Sequence, residues 1–135
     1  GCAIPLKTHF PSIKIHPVEP QGFDDTTRSL AARKRMKNST NASSICDSLL
    51  VSTPGRITFK INLEHLSDGI VVTDDQVKSA IRFAFQHLKL VVEPGGAVGL
   101  AALLTNITSY KNRTVLLVLS GGNVDEAIFS RILNE

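Results

Sequence analysis

Apolar residues are unevenly spread along the chain, and their spacing changes from one segment to the next. The pattern is clearest in GIVVTDDQVKSAIRFAFQHLKLVVEPGGAVGLAALL, residues 69–104. Ile70, Val71 and Val72 predict a short strand. Thr73 follows as a helix N-cap with Gln76 three residues on, the spacing of a capping box, and Asp74 and Asp75 suit the positive end of the helix dipole. Val77, Ala80, Ile81, Ala84, Phe85 and Leu88 then recur at helical spacing on one face. After LVVEP, Gly95 and Gly96 open a second helix, AVGLAALL, which is apolar nearly all round and expected to be buried on most sides. TVLLVL is a continuous apolar run of the kind covered on both faces in a parallel sheet. VDEAIFSRIL predicts a last helix, amphipathic through Val124, Ile128, Ile132 and Leu133.

The first half is less regular. GCAIPLKTHF reads as the tail of a helix stopped by Pro11, and IKIHPVEP as a strand carried by Ile13, Ile15 and Val18 and ended by Pro17 and Pro20. From Gln21 to Ser44 the chain is polar, with a short helix expected around Thr26 to Lys37 and a flexible loop in NSTNASS. ICDSLLVSTPG turns apolar again and closes on Pro54-Gly55, after which RITFKI alternates like a strand with Ile57, Phe59 and Ile61 on its buried face. Strands alternating with helices predict an α/β fold, a partial and mainly parallel sheet with flanking helices. Three or four strands make a small sheet for so apolar a pair of helices, so the chain is expected to be part of a larger domain.

Composition adds bounds to this picture. With 135 residues, 42% hydrophobic and 20% charged, the chain suits one compact domain over residues 1–135. No run of about 20 uncharged apolar residues exists, so no membrane span is expected. GCAIPLKTHF is too short and mixed for a secretory signal, and an N-terminus without Met is expected to be processed or cut. Cys2 and Cys46 lack metal-ligand spacing, and reduced thiols in a cytoplasmic compartment are the expectation. On that view the sequons at Asn38, Asn41, Asn106 and Asn112 are chance. The formal charge of +3 is concentrated at Arg28, Arg33, Lys34, Arg35 and Lys37, with 5% aromatics and no Trp, which reads as a solvated basic loop and not a nucleic-acid surface.

Three places carry candidate chemistry. VLLVLSGGN, residues 115–123, ends an apolar run in Ser120, Gly121, Gly122 and Asn123. Ligands of open parallel sheets bind beyond the carboxyl ends of the strands, and glycines admit close backbone approach; a tight strand-to-helix turn accounts for the same residues. In VEPGGAVG, Glu93 lies in apolar surroundings and must be paired, hydrogen-bonded or at a cleft, or else caps its own helix. In VEPQGFDD, Glu19, Asp24 and Asp25 group around a turn, as oxygen ligands of a hard cation or as solvated carboxylates. The four histidines share no motif, and His87 is expected at the surface; no Ser-His-Asp, H-E-x-x-H or P-loop pattern occurs.

Taken in order, VEPQGFDDTTRSL, ICDSLLVSTPG, ITF, VVTDDQV, KLVVEPGGAVGLAALL and LVLSGGNVD resemble the threonine dehydratase and serine racemase group of fold-type-II pyridoxal 5′-phosphate (PLP) enzymes. The likeness covers essentially the whole chain, and ICDSLL, PG and TF look closer to the dehydratases. The resemblance implies that the chain is part of the large domain of such an enzyme, whose parent acts on L-threonine or L-serine as an ammonia-lyase, with serine racemase activity as the alternative and a homo-oligomer expected. It implies that Ser120 meets the pyridine nitrogen of PLP, that Gly121, Gly122 and Asn123 pass beside the cofactor, and that Glu93, Gly95 and Gly96 form its rim. It also places Glu19, Asp25 and the carbonyl of Phe23 on a divalent-cation site for Mg²⁺ or Ca²⁺, although the family usually has a small residue where Phe23 stands. The family's Schiff-base lysine, in a Ser-x-Lys-x-Arg-Gly context, has no match here, and neither do the Gly-Asn-His-Ala loop and the phosphate-binding glycines. All three precede this region in the family, so Gly1 is expected to fall in the helix after the phosphate loop, half or more of the enzyme to be missing, and this chain alone to be inactive. A non-catalytic interaction or regulatory module that kept the fold is the rival reading.

Overall fold

The structure, a computed structural model, describes residues 1–135 apart from the side chains of residues 107 and 108. Among the described residues there are α1 (Ala3–His9), β1 (Val18–Pro20), α2 (Asp25–Ala32), α3 (Arg56–His65), β2 (Ile70–Val72), α4 (Asp74–Phe83), α5 (Pro94–Thr105) and α6 (Glu126–Asn134). The chain divides into two compact units, residues 1–43 with 51–71, and residues 44–50 with 72–135.

In the first unit, α3 packs with α1 and with α2, and β1 pairs in parallel with β2. Only Val18–Pro20 of the expected strand IKIHPVEP is paired. Pro17 has no N–H to donate, and its carbonyl instead accepts from Ile70 N at 2.9 Å while that of Ile15 accepts from Ser67 N at 2.8 Å. The apolar interior is thin: besides prolines, Phe59 is its one buried apolar residue among those described. RITFKI is not a strand but the start of α3. Gly55 holds an extended N-cap conformation, and Phe59 N closes the first turn on its carbonyl at 2.9 Å. An alternating triplet cannot share one face of a helix, so Phe59 is buried while Ile57 stays 77% exposed. The helix expected over Thr26 to Lys37 is shorter, because Arg33 takes a left-handed conformation (φ 51°) and ends α2 at Ala32.

The second unit is built on α4 and α5, with α6 laid against α4. The capping box is present as expected: Thr73 Oγ1 accepts from Gln76 N at 3.3 Å, and Gln76 Oε1 from Thr73 N at 2.8 Å. Val77, Ala80 and Ile81 of α4 are buried, and the chain widens into a π-type turn over Ala84–Leu88 that leaves His87 exposed. In α5, Pro94, Gly96, Ala97, Val98, Leu100, Ala101 and Ala102 are all buried, which fulfils the reading of its unbroken apolar surface. The expected strand TVLLVL runs without ladder pairing among the described residues. A strand needs a partner to take its N–H and C=O groups, and no neighbouring strand of this unit supplies one. Its side chains nevertheless alternate: Leu117 and Leu119 are half-buried, whereas Leu116 and Val118 are 73% and 65% exposed. Leu117 fits the notch left by the missing side chain of Gly99 in α5.

Candidate functional site

Three segments of the second unit converge at the start of α5. Glu93 is the N-cap residue and Pro94 occupies the first turn, where its missing N–H costs nothing. Glu93 O accepts from Gly96 N at 3.0 Å and from Ala97 N at 3.1 Å. The Glu93 side chain makes no bond to its own helix; it crosses to the tip that follows TVLLVL. There Oε2 accepts from Asn123 N at 3.2 Å, and Glu93 N donates to Gly121 O at 3.2 Å. Of the two explanations for a carboxylate in this apolar stretch, capping its own helix is therefore excluded and hydrogen bonding to a second segment is observed.

Gly121 makes this clasp sterically possible. Its φ of +81° suits glycine, and a Cβ there would lie 2.5 Å from the Glu93 carboxyl carbon. The neighbouring Gly122 faces Val91 O, 3.1 Å from where its Cβ would be. Gly96 is covered by the carbonyl of Ser120, and Gly95 by the hydroxyl of Ser48. The close approaches that these glycines allow are thus made, within this chain, by its own groups. What stays outside the packed interior is the tip itself: Ser120, Gly121, Gly122 and Asn123 are all exposed.

The carboxylate group lies in the first unit. Glu19, in β1, is held by three donors at the start of α2: Thr26 N at 2.9 Å to Oε1, with Thr27 N at 2.7 Å and Thr27 Oγ1 at 2.8 Å to Oε2. Asp24 turns to Arg28, Oδ1 to Nε 3.2 Å, and so does not join the other two carboxylates. Phe23 is half-buried in the intervening turn, its N–H donated to Pro20 O at 3.0 Å. Asp25 is fully buried. Its Oδ1 accepts from Asn38 Nδ2 at 2.7 Å, and its Oδ2 has no hydrogen-bond partner among the described residues. Burial raises the Asp25 carboxyl above its ordinary pKa, the Asn38 hydrogen bond opposes that rise, and the nearby Glu19 charge adds to it. Among the described residues no three His, Cys, Asp or Glu side chains are grouped to hold a metal ion, so any cation held here would have to take backbone oxygen beside the two carboxylates.

Sequence reasoning missed two residues of these sites. Ser48 falls inside ICDSLLVSTPG, which carries part of the family resemblance but gives Ser48 itself no role, and Asn38 lies in a polar loop and a sequon. No fixed spacing links Asn38 to Asp25, so only the folded loop brings them together. Both cysteines are unpaired, and burial pushes the Cys46 thiol up to about 11, which makes it inert at neutral pH.

The family profile described as "Pyridoxal-phosphate dependent enzyme" matches residues 1–121, and the chain belongs to this family. Serine racemase of Dictyostelium discoideum is 36% identical over 136 residues, covering 99% of this chain and 42% of that protein. L-threonine ammonia-lyase of Thermotoga maritima is 30% identical over 135 residues, covering 100% and 33%. The processed form of threonine deaminase isoform 2 from Solanum lycopersicum has the same fold over 98% of this chain and 37% of its own, with a TM-score of 0.89 at 28% identity. The α/β fold is accordingly that of fold-type-II PLP enzymes, and the chain spans less than half the length of these curated relatives.

The residues present fit the cofactor that this family implies. An exposed, backbone-lined tip locked by Glu93 holds the Ser120 hydroxyl where a ligand can reach it. The buried, partnerless Oδ2 of Asp25 is an oxygen that a cation would satisfy.

Proposed function

We propose that the chain is the C-terminal portion of the cofactor-bearing domain of a PLP-dependent enzyme that eliminates water from L-threonine or L-serine, giving a 2-oxo acid and ammonia. The observation that carries this reading is the clasp of Glu93 on the Gly121–Asn123 turn, which fixes the Ser120 tip beside the start of α5. Relatives named threonine ammonia-lyase and threonine deaminase support the reaction. PLP, when bound, supplies an electron sink for the pair left behind as the α-proton departs. Ser120 would hold the ring nitrogen with a hydroxyl, which unlike a carboxylate does not keep that nitrogen protonated. Gly121, Gly122 and Asn123 would line the same edge, and Glu93 with Gly95 would set the rim. Glu19, Asp25 and the carbonyl of Phe23 would hold Mg²⁺ or Ca²⁺ as a structural ion. Its two unpaired thiols suit a reducing, cytoplasmic compartment, and its exposed apolar edge suits a homo-oligomer. The 36% identity to a serine racemase supports racemisation as the second reading, since both reactions begin by removing the α-proton.

The 135-residue chain alone, given PLP and L-threonine or L-serine, is expected to form no 2-oxo acid above a free-PLP control, because no lysine here stands in the Ser-x-Lys-x-Arg-Gly context. Turnover above that control would overturn the assignment of the reactive lysine to another part of the protein. In the complete protein, Ser120→Ala is expected to lower PLP retention and 2-oxo acid release about 2- to 12-fold, the worth of one hydrogen bond of ~0.5–1.5 kcal/mol. Unchanged retention and rate would remove Ser120 from the site. Measuring D-serine in the same assay decides between elimination and racemisation.

A further inference from the structure

We infer that Asn38 is a positioning residue of the candidate cation site, a neutral spacer that orients Asp25 while keeping Arg28 from neutralising it. The inference rests on the proposal that Glu19 and Asp25 hold a cation, and it concerns residues outside that proposed ligand set.

The argument begins with what each group can donate. A guanidinium only donates, so the side-chain atom of Asn38 facing Arg28 Nη2 must be its oxygen. The amide nitrogen then points the other way, and both its hydrogens are used: Asn38 Nδ2 donates to Asp25 Oδ1 at 2.7 Å and to Val51 O at 2.7 Å. The backbone of Asn38 is pinned as well, its N–H donated to Ser52 O at 2.9 Å. Arg28 is equally committed, with Nη1 on Lys37 O at 3.1 Å and Nε on Asp24 at 3.2 Å. Among the described residues the guanidinium therefore makes no hydrogen bond or ion pair with Asp25, and only its field reaches that carboxylate.

Two consequences follow for a buried carboxylate. One oxygen is held by a neutral donor, which fixes the orientation of the group without cancelling its charge. The other oxygen is left buried with no partner among the described residues, on a residue whose neighbouring carboxylate, Glu19, is itself held by three donors. A direct Arg28–Asp25 ion pair would put a positive charge where the cation belongs, and the amide prevents it. Outer groups that orient ligands in this way typically change metal affinity 10–100-fold when removed.

The test uses the complete protein carrying this chain, stripped with EDTA and titrated with Mg²⁺ or Ca²⁺ while its unfolding temperature is followed. The wild type is expected to gain stability with saturation, and Asn38→Ala to raise the half-saturating cation concentration by about 10-fold or more. A merely structural Asn38 would lower the unfolding temperature equally at every cation concentration, and an unmoved half-saturation point would overturn the inference. If Asn38→Ala does not fold, Asn38→Ser, whose hydroxyl is too short to hold Arg28 and Asp25 apart at once, must raise the half-saturating concentration by about 3-fold or more; no change overturns it. A wild type indifferent to both cations sinks the cation reading itself, which separates that failure from this one.

Discussion

Asp25 is a carboxylate with no exposure, one oxygen paired and the other alone, and in the absence of a cation this combination is costly. Its pKa is raised in the folded protein from the ordinary 3.8, so the native state holds this proton more tightly than the unfolded chain does. The sign follows from linkage: the stabilisation due to this group is complete below 3.8 and is lost as pH rises through the raised native value. Without cation, Asp25→Asn is therefore expected to be at least as stable as the wild type at neutral pH and to lose this share of the stability gained on mild acidification. Urea unfolding at neutral and mildly acidic pH, with and without Ca²⁺, checks it. Parallel pH slopes for the two proteins would refute the assignment of the penalty to Asp25. Glu93 shows the contrasting case, a half-buried carboxylate whose oxygen has found a backbone donor on another segment.

Elements whose signals are local were legible in the sequence. The capping box of α4 needs only Thr73 and Gln76, and α6 follows from the amphipathic spacing of VDEAIFSRIL, although the cap at Asp125, whose Oδ1 accepts from Ala127 N and Ile128 N, is seen only in the structure. Elements that depend on partners were not. TVLLVL has the composition of a covered strand, but the pairing that makes a strand lies beyond its own residues, and RITFKI alternates by composition while Gly55 starts it as a helix. The candidate site was legible as separate motifs, Glu93 with its glycines and Ser120 with its own; that Glu93 reaches over to Asn123 was not. The contact of Ser120 O with Gly96 ties α5 to the tip, and it is backbone against backbone, without a flexible side chain to yield. Gly96→Ala is expected to displace the tip and to cost about 1–3 kcal/mol, as overpacking does. Denaturant unfolding measures the loss, and a variant of wild-type stability would show that the tip gives way freely.

At the scale of the whole chain, the two units are stabilised differently. Residues 72–135 contain a contiguous set of buried aliphatic side chains on α4, α5 and α6, whereas residues 1–43 and 51–71 rely on Phe59 and on polar contacts around α2. In the second unit, Val115, Leu116 and Val118 are exposed on an extended segment whose backbone groups have no ladder partner among the described residues, the kind of edge that recruits another chain. The isolated 135-residue chain is expected to self-associate through it, with Leu116→Lys shifting the equilibrium toward monomer. Sedimentation over a wide concentration range reads this directly, and a monodisperse wild-type monomer would count decisively against it.

The choice of expression host bears directly on Asn38. The residue begins Asn38-Ser39-Thr40, an acceptor for oligosaccharyl transfer in a secretory pathway, and the sugar would be attached through Nδ2. That nitrogen uses both of its hydrogens, for Asp25 and for Val51. A glycan leaves it one, so material made in the endoplasmic reticulum and carrying that tether would have to give up either its hold on the buried acid or its anchor to the neighbouring strand of loop.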